Sequence, residues 1–412
     1  MHNSRRYLWV SIALFVVAVM IRLLAVDSLG APPEKDALQY HQIATHLLAG
    51  GGYSLDGQTP TTIRPPVYPF FIAAVYALFG TDYHYVLIVQ ALLHAALVFP
   101  LCWLGLRITG SELVGGLAGG LFALHTSFEI VSRLYAENLL IPLLLGFVIF
   151  SYLACDKRQH YLRYAAGAGV MAGLMALTKP EFSLLGLAAL LLALMLSHTR
   201  QSWRIWLVTA VVSLLLAGGW QLRNFSVADS GQHRLVQASI VLANCPALTG
   251  DGWWIVSDMD RLEQQRETCH RLFDNQSAEL LTGKIRQMWL DEPLFMMKLV
   301  TSRVLILWAS PPVGTSMLVE HSEGLRWPVL FLQYMFVLFS LGLLFWMGVR
   351  QKKLFPLLLA AIYLTAVYGL THAVRRYGYS FVPELCLMFV YALWLAYGKL
   401  EGRIKERWDA ES

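Results

Sequence analysis

Leucine, alanine, valine and phenylalanine run in unbroken blocks along this chain, and the blocks do not alternate with polar residues. About 20 consecutive apolar residues carry an α-helix across about 30 Å of hydrocarbon. Blocks that reach or approach that length fall at about 7–26, 84–107, 112–127, 137–155, 161–178, 182–197, 204–222, 327–349, 354–371 and 379–398. Their continuity disfavours a closed β-barrel, whose strands alternate apolar and polar positions. The pattern predicts an all-α polytopic membrane protein with about ten transmembrane helices, so both termini lie on one side. The first block resembles a signal peptide, with Arg5-Arg6 ahead of it. Arg22 interrupts it and no small-x-small cleavage pattern follows, so it reads as an uncleaved anchor.

Composition agrees with this class: hydrophobic residues make up 57% of the 412 and charged residues 14%. The basic residues are unevenly placed. Arg5, Arg6, Arg107, the Lys157 to Arg163 turn, Arg200, Arg204, Arg350, Lys352, Lys353 and the Lys399 to Arg407 tail all alternate onto one face. Short loops rich in Lys and Arg stay in the cytoplasm, which places both termini there in a plasma (inner) membrane. The formal net charge of +5 is accounted for by these loops and points to no nucleic acid. Two long segments, 27–83 and 223–326, then fall outside the cytoplasm. Three units follow: an N-terminal transmembrane module 1–222 that includes the first outer loop, a small extracytoplasmic domain 223–326, and C-terminal helices with a cytoplasmic tail, 327–412. Within the middle unit, residues 294–309 are apolar but contain Lys298 and Arg303. They read as an interfacial helix whose long cations reach head groups.

The candidate chemistry gathers on the outer face. From Asp36, the residues Tyr40, Ile43, Ala44, Leu47 and Leu48 recur at three- and four-residue intervals, which predicts an amphipathic helix on the bilayer with Asp36 at its start. A carboxylate there could take a proton from an acceptor hydroxyl attacking a sugar carbon; equally, an acid at a helix N-terminus is favoured by the helix dipole. Arg64-Pro65-Pro66 fixes an arginine ahead of a second apolar helix, Tyr68 to Phe79. Arginine forks onto phosphate oxygens, and an interfacial arginine also anchors a helix to anionic head groups. Glu137 opens a span on the same face. It has three readings: orienting a substrate, holding a divalent metal with Asp36, or capping its helix. Lys179-Pro180-Glu181 lies between two outer helix ends, and His372-Ala373-Val374-Arg375-Arg376-Tyr377 precedes the last span. Arg375 and Arg376 break the positive-inside trend, as a bound anion would require.

Other motifs carry less. Asp258-Met259-Asp260 spells a metal-chelating Asp-x-Asp but stands in a polar loop without a nucleotide fold, and the histidines lack metal-ligand spacing. No strand-Gly-rich-helix unit exists to hold a nucleotide. Of the five cysteines only Cys245 and Cys269 share the outer domain, where one disulfide could close a modest loop.

The order Asp-x-x-x-Tyr (36–40), Gly-Gly-Tyr (51–53), Arg-Pro-Pro-x-Tyr-Pro (64–69), Phe79-Gly80, Tyr-Ala-Glu-Asn (135–138), Leu-Thr-Lys-Pro-Glu (177–181), Trp220-Gln221-Leu222-Arg223-Asn224 and Arg376-Tyr377 resembles the GT-C glycosyltransferases. Within them it is similar to the group of protein O-mannosyltransferases and lipid A aminoarabinose transferases. The resemblance implies a GT-C bundle with amphipathic juxtamembrane helices, and inverting transfer of a sugar from a polyprenyl phosphate to an extracytoplasmic glycolipid, polysaccharide or protein. It implies that Asp36 and Glu137 are the catalytic acids. Arg64, Lys179 and Arg376 would face the donor phosphate, with Tyr40, Arg375 and Tyr377 completing the substrate-binding set. Lys179 departs from the Arg expected in the Leu-Thr-Arg-Pro pattern and lacks its planar fork. The rival reading of the same residues is a transporter or flippase of lipid-linked saccharides, though no internal repeat accompanies them.

Overall fold

The computed structural model describes residues 2–156, 159–196, 200–227, 283, 286–287, 289–309, 323–371 and 373–411. Most of the expected outer domain, with Cys245, Cys269 and Asp258-Met259-Asp260, lies outside the described residues, as does His372. Among the described residues the chain is helical, with a single β-bridge between Ser54 and Pro60.

The helices follow the apolar blocks. They are α1 (His2–Leu29), α2 (Asp36–Leu48), α3 (Val67–Phe79), α4 (Tyr83–Ala96), α5 (Val98–Thr109), α6 (Glu112–Leu124) and α7 (Glu137–Asp156). After them come α8 (Tyr161–Ala176), α9 (Leu185–Leu196), α10 (Arg200–Val227), α11 (Pro293–Ala309), α12 (Glu323–Gly348), α13 (Phe355–Leu370) and α14 (Val382–Glu411). Among the described residues six helices are long and apolar enough to cross a membrane, with α4 and α5 forming one 27-residue span through Leu97. A seventh is added if α6 and the 3-10 helix Thr126–Ser132, bent by 52°, count as one broken span. The remaining apolar blocks of the expected ten are shorter helices, among them α9 and α13.

Physical causes are visible at the breaks. Arg22, which interrupts the first block, is 1% exposed and turned inward. Its guanidinium donates to the carbonyls of Phe122 and Ala123, each at 3.3 Å, and packs 4.8 Å from the Phe122 ring. The last carbonyls of a helix have no partner within it, so a buried arginine there replaces the missing amides where α6 gives way to the bend. α5 and α6 meet backbone to backbone at Gly105 and Gly115, where a Cβ on Gly115 would stand 2.5 Å from the Cys102 carbonyl. Small residues permit that approach in a bundle that no hydrophobic effect drives together.

Residues 294–309, expected as an interfacial helix, pack one face against the bundle. In α11, Met296, Leu299, Ile306 and Leu307 are buried, Trp308 donates to Thr365 at 2.9 Å, and Arg303 donates to the Gly369 carbonyl at 3.4 Å. Arg303 therefore answers a helix-end carbonyl rather than a head group. At the end of the bundle away from the candidate site, Asp156 pairs with Lys353 at 2.8 Å and Arg107 at 3.6 Å. Arg107 and Lys353, two of the basic residues assigned from sequence to one face, thus share one end.

Candidate active site

α2 begins at Asp36 and buries Ala37, Tyr40, Ile43 and Ala44, so its apolar face follows the predicted spacing, although Leu48 at the far end is 44% exposed. Lys35, just before it, adopts a positive φ of 50°. Burial of that face against α3 leaves the Asp36 carboxylate on the upper rim. Tyr40 stands edge-on to Tyr68 with ring centroids 4.9 Å apart. Its burial pushes the phenol up to about 12.

Arg64 is fixed through its backbone and its side chain. The Tyr53 hydroxyl donates to the Arg64 carbonyl at 2.8 Å and to that of Pro65 at 3.0 Å, and Val67 N–H donates to the Leu177 carbonyl at 3.0 Å. This last bond ties the Arg-Pro-Pro segment to the Leu-Thr-Lys-Pro segment across the bundle. The Arg64 guanidinium then donates to Gln39 at 2.7 Å and to Asp36 at 2.5 Å, and lies 5.2 Å from the Tyr40 ring.

Three further segments complete the cluster: the N-terminus of α7 brings Glu137, the turn after α8 brings Lys179, and the 3-10 helix Arg375–Phe381 brings Arg376. Arg376 donates to the second oxygen of Asp36 at 3.5 Å and to Glu137 at 3.2 Å, stacked 4.6 Å from the Tyr135 ring. Lys179 pairs with the same Glu137 oxygen at 2.9 Å, its ammonium 3.3 Å from the centre of the Tyr377 ring. The result is an alternating chain of five charges, Arg64, Asp36, Arg376, Glu137 and Lys179. Burial works against the Lys179 charge, but the adjacent Glu137 carboxylate outweighs it and holds the ammonium well above the ordinary lysine range.

Exposure grades along the chain. The side chain of Asp36 is 45% exposed, Arg376 28% and Arg64 21%, whereas Lys179 falls to 10% and Glu137 to 2%. The open end therefore offers one carboxylate between two guanidiniums. Glu137, expected as a second catalytic acid, lies at the sealed end of this arrangement and pairs with two cations. The donor set also does not fit a divalent metal between Asp36 and Glu137, because Arg376 stands between the two carboxylates and each already faces a cation. Among the described residues no group of three or more His, Cys, Asp and Glu could hold a metal ion. The Arg375 side chain lies outside what is described.

Three participants escaped the sequence reading. Gln39 accepts from Arg64, Tyr135 carries Arg376, and Arg223 donates to the Thr61 carbonyl at 2.7 Å while lying 4.8 Å from the Trp220 ring. Tyr135 and Arg223 stand inside motifs already quoted, but sequence spacing cannot show which side chains meet.

Residues 63–220 match the family model described as dolichyl-phosphate-mannose-protein mannosyltransferase. Among solved structures, the chain is similar to the archaeal oligosaccharyltransferase AglB from Archaeoglobus fulgidus in complex with an inhibitory peptide and a dolichol-phosphate. That likeness has 13% identity and a TM-score of 0.53, covering 98% of this chain and 52% of that one. A second structure of the A. fulgidus oligosaccharyltransferase, tethered with an acceptor peptide, has 13% identity and a TM-score of 0.55, covering 96% of this chain and 50% of that one. ArnT from Cupriavidus metallidurans, bound to undecaprenyl phosphate, also matches, with 13% identity and a TM-score of 0.45 over 92% of this chain and 77% of that one. No curated protein matches the sequence. Helical architecture and structural likeness define the class: this is a multi-pass membrane protein sharing its fold with the oligosaccharyltransferase structures. It spans about half the length of the oligosaccharyltransferase structures it resembles.

Proposed function

We propose that the chain is an integral-membrane, inverting glycosyltransferase that moves a sugar from a polyprenyl-phosphate donor to an acceptor outside the cytoplasm. The observation that carries this reading is the open end of the charge chain, where Asp36 faces solvent between Arg64 and Arg376. Transfer of this kind needs a base for the acceptor hydroxyl and positive charge for the phosphate that leaves.

In the reaction, Asp36 accepts the proton of the acceptor hydroxyl as its oxygen bonds to the anomeric carbon. The bond from that carbon to the phosphate oxygen breaks, and its electron pair leaves with the polyprenyl phosphate. Arg376 and Arg64 face the charge that develops, and a preorganised donor in such a site is worth roughly 3–4 kcal/mol of barrier. Their planar forks suit phosphate oxygens. Glu137 and Lys179 serve as positioning residues below, with Glu137 fixing Arg376 from the buried side. Tyr40 and Tyr377 supply the ring faces against which Arg64 and Lys179 rest. The site would lie on the extracytoplasmic face, supported by the basic residues Arg107 and Lys353 at the opposite end.

The test is transfer from a defined polyprenyl-phosphate sugar by purified protein in detergent. Asp36→Asn should abolish turnover while donor binding persists, because the amide keeps the shape and loses the base. Turnover at the wild-type rate would overturn the assignment, and activity confined to sealed bilayers would point to a lipid carrier instead. Comparing the glycans and glycolipids of cells with and without the chain by mass spectrometry would identify the sugar and the acceptor.

A further inference from the structure

Arg376 makes long contacts, 3.5 Å to Asp36 and 3.2 Å to Glu137. Such contacts survive only if the backbone beneath them is held in place, and the holding lies one turn along. In a 3-10 helix residues i and i+3 eclipse one another, so Arg376 and Tyr379 project from the same side of Arg375–Phe381. The Tyr379 hydroxyl, on a side chain 4% exposed, donates to the Glu129 carboxylate at 2.8 Å. Glu129, itself 8% exposed, belongs to the 3-10 helix Thr126–Ser132, whose start is closed by Ser127 N–H donating to His125. On another side the segment is pinned by Gly378, where a Cβ would stand 2.1 Å from the Leu307 carbonyl of α11. Backbone contact there fixes the distance of the segment but leaves its rotation to be set elsewhere.

We infer that Glu129 and Tyr379 together are positioning residues for Arg376, setting the rotation of the segment that carries the guanidinium. Neither belongs to the charge chain, and neither touches the open face. The bend between α6 and Thr126–Ser132 thus has a use: it delivers a carboxylate, buried inside the bundle, to the underside of a segment 250 residues later. A shift of about 1 Å at a positioned group can cost roughly 100-fold in rate, so one hydroxyl controls the geometry of the exposed cation.

The role in transfer rests on the proposed function, but the placement of Arg376 can be read without any substrate. Phenylglyoxal modifies arginine, and its rate at Arg376 can be mapped by mass spectrometry on the full chain in detergent. Tyr379→Phe should raise that rate roughly fivefold, the scale of one lost hydrogen bond. Glu129→Leu should do the same, whereas Glu129→Gln retains an acceptor oxygen and should stay near wild type. Labelling unchanged in Tyr379→Phe, or raised equally at arginines remote from the site, overturns the inference. In the transfer assay, Tyr379→Phe should lower kcat and add nothing in an Arg376→Ala background; additive losses would also overturn it. Altered labelling in a protein that transfers no sugar would uphold the positioning role and sink the proposed function.

Discussion

Glu137 offers the sharpest test of how this site is held together. It is 2% exposed and shares one oxygen between Lys179 at 2.9 Å and Arg376 at 3.2 Å. Glu137→Gln removes the charge and keeps the shape. Arg376 would retain Asp36, but Lys179, with its side chain only 10% exposed, would retain ring faces and the more distant Glu181 charge. Stripping one partner from a buried pair costs about 3–5 kcal/mol because the other charge is left uncompensated. Lys179→Met should cost less, about 1–3 kcal/mol, since Glu137 keeps Arg376. In the double variant the stranded ammonium is gone, so its loss should fall well below the sum of the singles, with a coupling of about 2 kcal/mol. Unfolding by heat and by SDS in detergent micelles, with fold checked by circular dichroism, measures all four proteins. If Glu137→Gln unfolds within about 1 kcal/mol of wild type, or the two losses simply add, Glu137 is not the electrostatic anchor described here.

Arg376→Ala should weaken binding of the sugar-free polyprenyl phosphate by tenfold or more, roughly the 1.5–3 kcal/mol of a charge-assisted contact; equal affinity in a lipid-binding assay would confine Arg376 to a structural part. Gly378→Ala should destabilise the bundle by about 1–3 kcal/mol and slow transfer, because its methyl meets the Leu307 carbonyl rather than a flexible side chain. An unaltered unfolding midpoint in that variant would mean that α11 yields easily and that the segment is not pinned there.

Much of the architecture was legible in the apolar pattern. Helix positions followed from the blocks because a membrane helix must satisfy its own backbone and cover itself in apolar side chains. The face of α2 followed from its 3.6-residue period, and the grouping of Arg107 with Lys353 from the bias of short loops. Where the sequence was silent, a polar side chain had a partner that only packing could show. Arg303, expected to reach head groups, donates to the Gly369 carbonyl within the bundle. For Glu137 the membrane-edge signal left several readings open, since it does not separate an exposed base from a buried partner of two cations.

The sequence by itself determined a helical membrane protein, the order of its motifs, and the presence of acids and cations at one end of its helices. Those features depend on composition and short periodicity, which local physics reads directly. Only the tertiary structure decided which charges meet: Asp36 between Arg64 and Arg376, Glu137 sealed beneath, and Tyr379 reaching back to Glu129. Contacts across as many as 340 residues depend on how the helices pack and where they bend. Exposure of a carboxylate, and hence its chemistry, is set by those neighbours rather than by its place in a motif.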